Sequence, residues 1–201
     1  MSVPVPQPLL AIAKLIQRLP GVGEKTAMKF TLALADGDFA VQLGEVLTGL
    51  PFVVQPCARC RVLVSLADGE CVYCARSPDM LCIVQRFVDL LAIERAAGTL
   101  KMRFFVLGKL LSPLEGIHEE DLPLALLRPL ADEAKEVVLA LPPSIEGEAT
   151  GLLLRRELQH PRVTQLARGL PHGGDLEFAD AITLRGAFDK RTEFDKRTEG
   201  T

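Results

Sequence analysis

Residues 57–74 read CARCRVLVSLADGECVYC, a window that holds four of the chain's five cysteines. Cys57, Cys60, Cys71 and Cys74 form two Cys-x-x-Cys pairs separated by ten residues. Each pair can turn two thiolates toward one ion, and two such knuckles close the tetrahedron that suits Zn²⁺. The competing pattern is a pair of disulfides or a redox dithiol; two pairs concentrated in one window fit a metal site better. With all four positions taken by protein sulfur, no ligand position stays open for catalysis. The expected ion is therefore structural, one per chain, and it organises a module too small to have its own core. Between the pairs, Ala67-Asp68-Gly69 predicts a short hairpin joining the knuckles. The fifth cysteine, Cys82, stands in the apolar run MLCIVQ, which reads as a buried strand.

Composition bounds what surrounds this window. A chain of 201 residues that is 48% hydrophobic can bury a sizeable core as one domain with small modules attached. Charged residues interrupt the apolar runs, and none approaches the roughly 18 residues of a membrane span. The start, MSVPVPQPLL, has no basic segment and no small-residue cleavage site, so no signal peptide is expected. An odd, clustered set of cysteines argues against a secreted disulfide scaffold, which leaves a cytoplasmic protein with reduced thiols. The formal net charge of −3 excludes a generally basic coat for nucleic acid. Any DNA contact must come from a local basic cluster, or from contacts multiplied by oligomerisation.

Upstream, Leu9, Ile12, Ala13, Leu15, Ile16 and Leu19 recur at helical spacing. Leu19-Pro20-Gly21-Val22-Gly23 breaks that helix, and EKTAMKFTLALA starts a second one. Gly21 and Gly23 permit a tight turn that leaves backbone N–H groups at the second helix start free to face an anion. This is a helix-hairpin-helix pattern, which holds DNA phosphates without reading bases. Lys25 and Lys29 lie one turn apart on the second helix and can reach the same backbone. An ordinary helical hairpin with solvated lysines is the alternative.

Downstream, strand and helix patterns alternate. Residues 80–85, 102–108, 136–141 and 162–167 read as strands, and 86–97, 119–131, 146–159 and 174–188 as helices. Strands separated by helices of this length predict a mainly parallel sheet covered on both faces. The tail repeats FDKRTE at 188–193 and 194–199, a charged stretch expected to fray. The expected division is a helix-hairpin-helix region over 1–53, a four-cysteine finger over 54–77, an α/β domain over 78–168 and a C-terminal extension over 169–201.

The order of these parts resembles the bacterial RecR family of recombination mediators. LPGVGEKTA, the four cysteines, VLGKLLSPLEGI, EGEAT and ARGLPHGGDLEFAD all look like its motifs, across residues 9 to 188. The resemblance implies that the α/β part is a Toprim domain, followed by a Walker-B-like segment around GGDLEFAD and a helical extension. It also implies a non-enzymatic, ring-shaped DNA clamp, a tetramer, that works with RecO and RecF. Such a clamp helps load recombinase onto gapped DNA coated with single-strand-binding protein, at the nucleoid.

Catalytic Toprim enzymes hold Mg²⁺ with a glutamate at the end of the first strand and an Asp-x-Asp after a later one. Here Gln85 and Arg86 end the first strand, and Glu146 and Glu148 follow the third. A neutral ligand and a repelling cation leave the acidic set incomplete, so Mg²⁺ is not expected. Glu146 and Glu148 read either as acids favoured at the start of the helix they open or as a partner surface. The family resemblance is weaker around this site: Lys109 stands for a second glycine, Leu-Pro-Pro-Ser for Thr-Asn-Pro-Thr, and Phe178 for a tyrosine. His118 and His172 have no ligand spacing around them and read as loop residues. Gly169, Gly173 and Gly174 lack the lysine and hydroxyl of a phosphate loop, and Asp175, Glu177 and Asp180 would repel phosphate. That acidic loop is better suited to a subunit contact or a basic partner. A Toprim nuclease or primase-like enzyme, and a zinc-stabilised interaction module without DNA, are the two other readings.

Overall fold

The computed structural model describes residues 5–35, 37–97, 100, 102–167, 170, 177 and 181–189. The chain divides into two compact units, one of Met1–Gln55 with Leu63–Gly69, the other of Pro56–Val62 with Glu70–Thr201.

In the first unit, α1 (Gln7–Ile16), α2 (Glu24–Leu34) and α3 (Phe39–Val53) follow one another. Helices α1 and α2 meet on small residues: Ala13 and Ala27 are buried, and so is Thr31, whose hydroxyl donates to the Ala27 carbonyl at 2.9 Å. The apolar stripe of α1 is otherwise partly uncovered, with Ile12 and Leu15 exposed. The third helix, for which periodicity gives no signal, is apolar yet buries none of its residues. Phe39, Val41, Val46, Leu47, Leu50, Phe52 and Val53 are all exposed.

Strands β1 (Val54–Pro56) and β2 (Leu63–Ser65) pair as a two-stranded ribbon. The hairpin thus spans the first Cys-x-x-Cys pair rather than joining the two pairs. Residues 66–68 form instead a 3-10 turn, capped by the Ser65 hydroxyl and closed by Gly69 at φ 70°. The expected hairpin there is corrected: a 3-10 turn followed by a left-handed glycine reverses the chain without a ladder.

The second unit carries β3 (Met80–Val84), α4 (Phe87–Ala97), β4 (Arg103–Val106), α5 (Leu124–Asp132), β5 (Glu136–Ala140), α6 (Ile145–Leu158), β6 (Val163–Gln165) and α7 (Ala181–Asp189). The four strands are all parallel, in the order β4-β3-β5-β6. Leu81, Cys82, Ile83 and Val84 are buried in a row, as expected of a strand covered on both faces. Phe104, Phe105, Leu90, Leu127 and Leu154 complete this core, each contributing about 2 kcal/mol by burial. Residues 119–131 are less helical than the pattern implied: Glu119–Asp121 is a 3-10 turn, and the α-helix starts only at Leu124. Pro123 sets that boundary, since the residue before a proline is steered away from helical geometry.

Because the chain runs from β3 to β4 on one side and then to β5 on the other, the order reverses between β3 and β5. Such a switch point opens a crevice at the carboxyl ends of the strands.

Candidate metal centre, crevice and basic hairpin

The four cysteines converge. Cys57 donates its N–H to the Val62 carbonyl at 2.8 Å, and Arg61 donates to the Cys57 carbonyl at 2.9 Å, closing the first knuckle. Ala75 donates to the Cys71 carbonyl at 3.1 Å and closes the second. Sγ of Cys57 lies 3.8 Å from that of Cys74, and Sγ of Cys60 lies 3.6 Å from that of Cys71. All four sulfurs fall within 4.8 Å of one another. A tetrahedron with metal–sulfur bonds of about 2.3 Å has edges of about 3.8 Å, so the donor set fits a four-thiolate ion. Among the described residues, it is the one group of three or more His, Cys, Asp or Glu able to hold a metal.

The electrostatics of the sulfurs also suit a cation. Burial drives the Cys60 thiol far above its ordinary value, and the nearby Cys74 adds to the shift. Burial, with the charges of Cys71 and Cys57, pushes Cys74 up to about 11. Burial opposes ionisation of Cys57 as well, but hydrogen bonds from the Cys60 and Arg59 backbone outweigh it and bring this thiol to about 7. Ionisation is thus favoured at Cys57 and opposed at Cys60 and Cys74, a conflict that a bound dication would remove. Cys82 is separate: burial alone raises it to about 12, and it belongs to the core.

The knuckles are built into the α/β unit. Cys60 and Val62 belong to the same core as Phe104, and Tyr73 stands edge-on to Phe104 with ring centroids 5.9 Å apart. Arg76 lies over the Tyr73 ring and forks onto Glu94 of α4 at 2.7 and 2.9 Å.

The crevice at the switch point is lined by Gln85, Gly108, Lys109, Ser112, Glu115 and Glu146, among others, and encloses about 350 Å³. Gln85 is half-buried at the end of β3, where a catalytic domain would carry its glutamate. Arg86 is turned onto the first turn of α4, where its Nη2 lies 3.0 Å from Asp89 Oδ1. Ser144 caps α6 by accepting from the Gly147 N–H at 3.1 Å. Glu146 is exposed in that first turn, and hydrogen bonds from its own backbone and the Ser144 hydroxyl hold its carboxyl below the ordinary range. Glu148, also exposed, lines a different groove together with Arg155 and Gln165, so the two glutamates face different surroundings. His118 is exposed and its backbone N–H donates to Asp121 at 2.9 Å.

At the hairpin, Gly21 adopts φ 76° and Gly23 is the extended N-cap of α2. Gly23 offers no side-chain cap, so the first N–H groups of α2 are left without a capping side chain. Lys25 and Lys29 are both exposed on this helix. Glu177 is exposed, whereas Gly169, His172, Gly173, Gly174, Asp175, Phe178, Asp180 and the repeated tail beyond 189 lie outside the described residues.

Two residues that matter here are not evident from sequence patterns. Arg61 takes φ 62°, a left-handed conformation that favours glycine; its place directly after a Cys-x-x-Cys turn was the available signal. Gly147 is buried where any Cβ would run into the Pro142 carbonyl oxygen, a constraint that EGEAT carries only once the Pro-Pro turn before it is known.

These features define a Toprim-fold protein with an attached four-cysteine metal knuckle and a basic helical hairpin. Residues 79–167 match the Toprim domain family, and residues 169–192 match the family described as RecR, C-terminal. The chain is 42% identical to Recombination protein RecR of Myxococcus xanthus over 94% of its own length and 98% of that protein. It is 42% identical to Recombination protein RecR of Thermus thermophilus over 92% of its length and 97% of that protein, and 41% identical to that of Gloeobacter violaceus over 93% and 98%. The chain belongs to the RecR family.

Proposed function

We propose that this protein is a non-enzymatic, DNA-binding mediator subunit of recombinational repair. The observation that carries this reading is the open, glycine-capped start of α2 with Lys25 and Lys29 exposed beside it, in a chain of this family. Phosphate oxygens accept from free N–H groups at a helix start, and two lysines one turn apart add screened attraction along the backbone. In this reading the knuckle holds one structural Zn²⁺. The crevice holds no catalytic Mg²⁺ in this reading, because Gln85 brings it no charge and Lys109 lines it beside Glu115 and Glu146.

Two lysines per chain hold DNA weakly, so the clamp acts as a homo-oligomer, a tetramer as in the family resemblance, whose phosphate contacts sum. The exposed apolar residues of α3 support that assembly, since an uncovered patch of this kind marks an interaction surface. RecO and RecF are the partners through which it loads recombinase onto gapped DNA, and Glu146, Glu148, Asp175, Glu177 and Asp180 are proposed to face a basic partner or a second subunit. The protein works in the cytoplasm at the nucleoid. Among the described residues no helix is long and apolar enough to cross a membrane.

The test measures solution mass and binding to gapped DNA across a salt series. Lys25→Ala/Lys29→Ala should keep the parent mass, lose most DNA binding and lower the salt slope by about 1.8 per engaged chain, at roughly 0.9 for each phosphate no longer neutralised. Parent-like binding by the double variant places the DNA surface elsewhere. Mg²⁺-dependent cleavage that disappears in Glu146→Ala/Glu148→Ala would refute the non-enzymatic reading.

A further inference from the structure

The knuckle residues occupy the open edge of β4, the end strand of the parallel sheet. Val106 donates its N–H to the Cys60 carbonyl at 3.0 Å, and its own carbonyl accepts from Arg61 Nε at 3.1 Å. Further along the strand, Arg76 Nη1 donates to the Met102 carbonyl at 3.2 Å, and Arg103 Nε donates to the Arg76 carbonyl at 2.9 Å. An end strand with bare N–H and C=O groups invites another chain to pair with it, and here the Val106 N–H and C=O and the Met102 C=O are occupied.

Arg61 is the unexpected member of this set. Its left-handed backbone would be filled without strain by glycine, so the turn alone does not account for an arginine. What the side chain holds does account for it. Beyond Val106 the guanidinium reaches Gly108, where a Cβ would stand 3.1 Å from Arg61 Nη2. Gly108, Lys109, Leu110 and Ser112 form one wall of the switch-point crevice. That wall is tied to the sheet by Gly108 N–H donating to the Gln85 carbonyl at 2.8 Å, and to α6 by Leu111 N–H donating to the buried Thr150 hydroxyl at 2.9 Å.

We propose that Arg61 is a positioning residue through which the metal knuckle orders the Gly108–Ser112 wall of the crevice, while the knuckle as a whole covers the β4 edge. A metal fixes Cys60; Cys60 and Arg61 together fix Val106; Val106 and the guanidinium fix the start of the wall. The inference rests on the knuckle binding a metal, and its chemistry concerns only this chain's own groups.

The experiment is residue-resolved amide hydrogen exchange on the full chain loaded with Co²⁺, whose tetrathiolate absorption reports the site directly. Arg61→Gly should keep the cobalt bands, the protection of β3 and the Val106 N–H held by Cys60. Its Gly108 and Leu111 amides should exchange about tenfold faster, the effect of losing one charged hydrogen bond. Chelating the metal from the parent should release the Val106 amide as well and produce concentration-dependent self-association through β4. Should Arg61→Gly fail to fold, Arg61→Gln keeps most of the stem without the guanidinium fork and is read the same way. Parent-level protection of Gly108 and Leu111 in a cobalt-loaded variant overturns the coupling, as does a uniform rise that includes β3. A parent that takes up no Co²⁺ overturns the metal reading and the coupling with it.

Discussion

Replacing Gly147 by alanine probes the joint between the crevice and its helix. Gly147 is buried in the first turn of α6, and a Cβ built there would run into the Pro142 carbonyl oxygen and stand 3.1 Å from its carbon. That same oxygen accepts from the Ser144 N–H at 2.8 Å, and Ser144 in turn caps Gly147 at 3.1 Å. Backbone must therefore move, and the cap geometry moves with it. Overpacking of this kind costs about 1–3 kcal/mol, and a lost serine cap adds about 1 kcal/mol. At about 2–4 °C per kcal/mol for a chain of this size, Gly147→Ala should melt roughly 4–16 °C lower. Gly151→Ala, one turn further along, is the control. Its Cβ would meet only Leu139 Cδ1 at 3.6 Å, an ordinary separation, and alanine gains about 1 kcal/mol over glycine within a helix. Calorimetry on both variants decides: Gly151→Ala should melt at or slightly above the parent. A Gly147→Ala protein melting within about 2 °C of the parent would refute the steric reasoning.

Metal analysis of purified protein should find about one zinc per chain, and Cys57→Ser should lower both metal content and melting temperature; metal-free protein of unchanged stability would sink the structural role. The Cys74 and Cys60 thiols, raised without an ion, must lose protons to bind one, so competition against a chelator should show affinity falling as the pH falls. Glu94 is held below the ordinary carboxylate value by its hydrogen bond from Arg76, so its contribution is present at neutral pH and is lost as the pH falls through that lowered value. Glu94→Gln should flatten this part of the acid limb in denaturant titrations, and an unchanged slope would show that the pair adds nothing.

The sheet was legible because β3, β4 and β5 are buried on both faces and therefore read as short unbroken apolar runs between turn signals. The metal site was legible for a different reason: thiolate spacing is local, so four residue numbers stated the tetrahedron before any fold was known. The third helix was not. Phe39–Val53 is apolar nearly all round, and periodicity finds a face only where polar residues mark the opposite one. The hairpin was misplaced because Ala67-Asp68-Gly69 is good turn chemistry in either setting, and strand pairing across residues 57–62 is a nonlocal fact. Arg61 was hidden for the same reason, since its partners Val106 and Gly108 lie more than forty residues along the chain.

The crevice joins these two kinds of information. Its existence follows from topology: a parallel sheet whose order reverses between β3 and β5 opens there whatever side chains it carries. Its chemistry follows from which residues the strand ends deliver. Gln85 brings no charge, Lys109 brings a positive one, and Glu115 and Glu146 bring two negative ones. A dication entering this space would meet two carboxylates and one lysine, and strongly hydrated Mg²⁺ gives up water reluctantly for so little net charge. The fold thus keeps the position at the strand ends while Gln85 leaves it without a first-strand carboxylate. The knuckle anchored through Arg61 holds one wall of that position still.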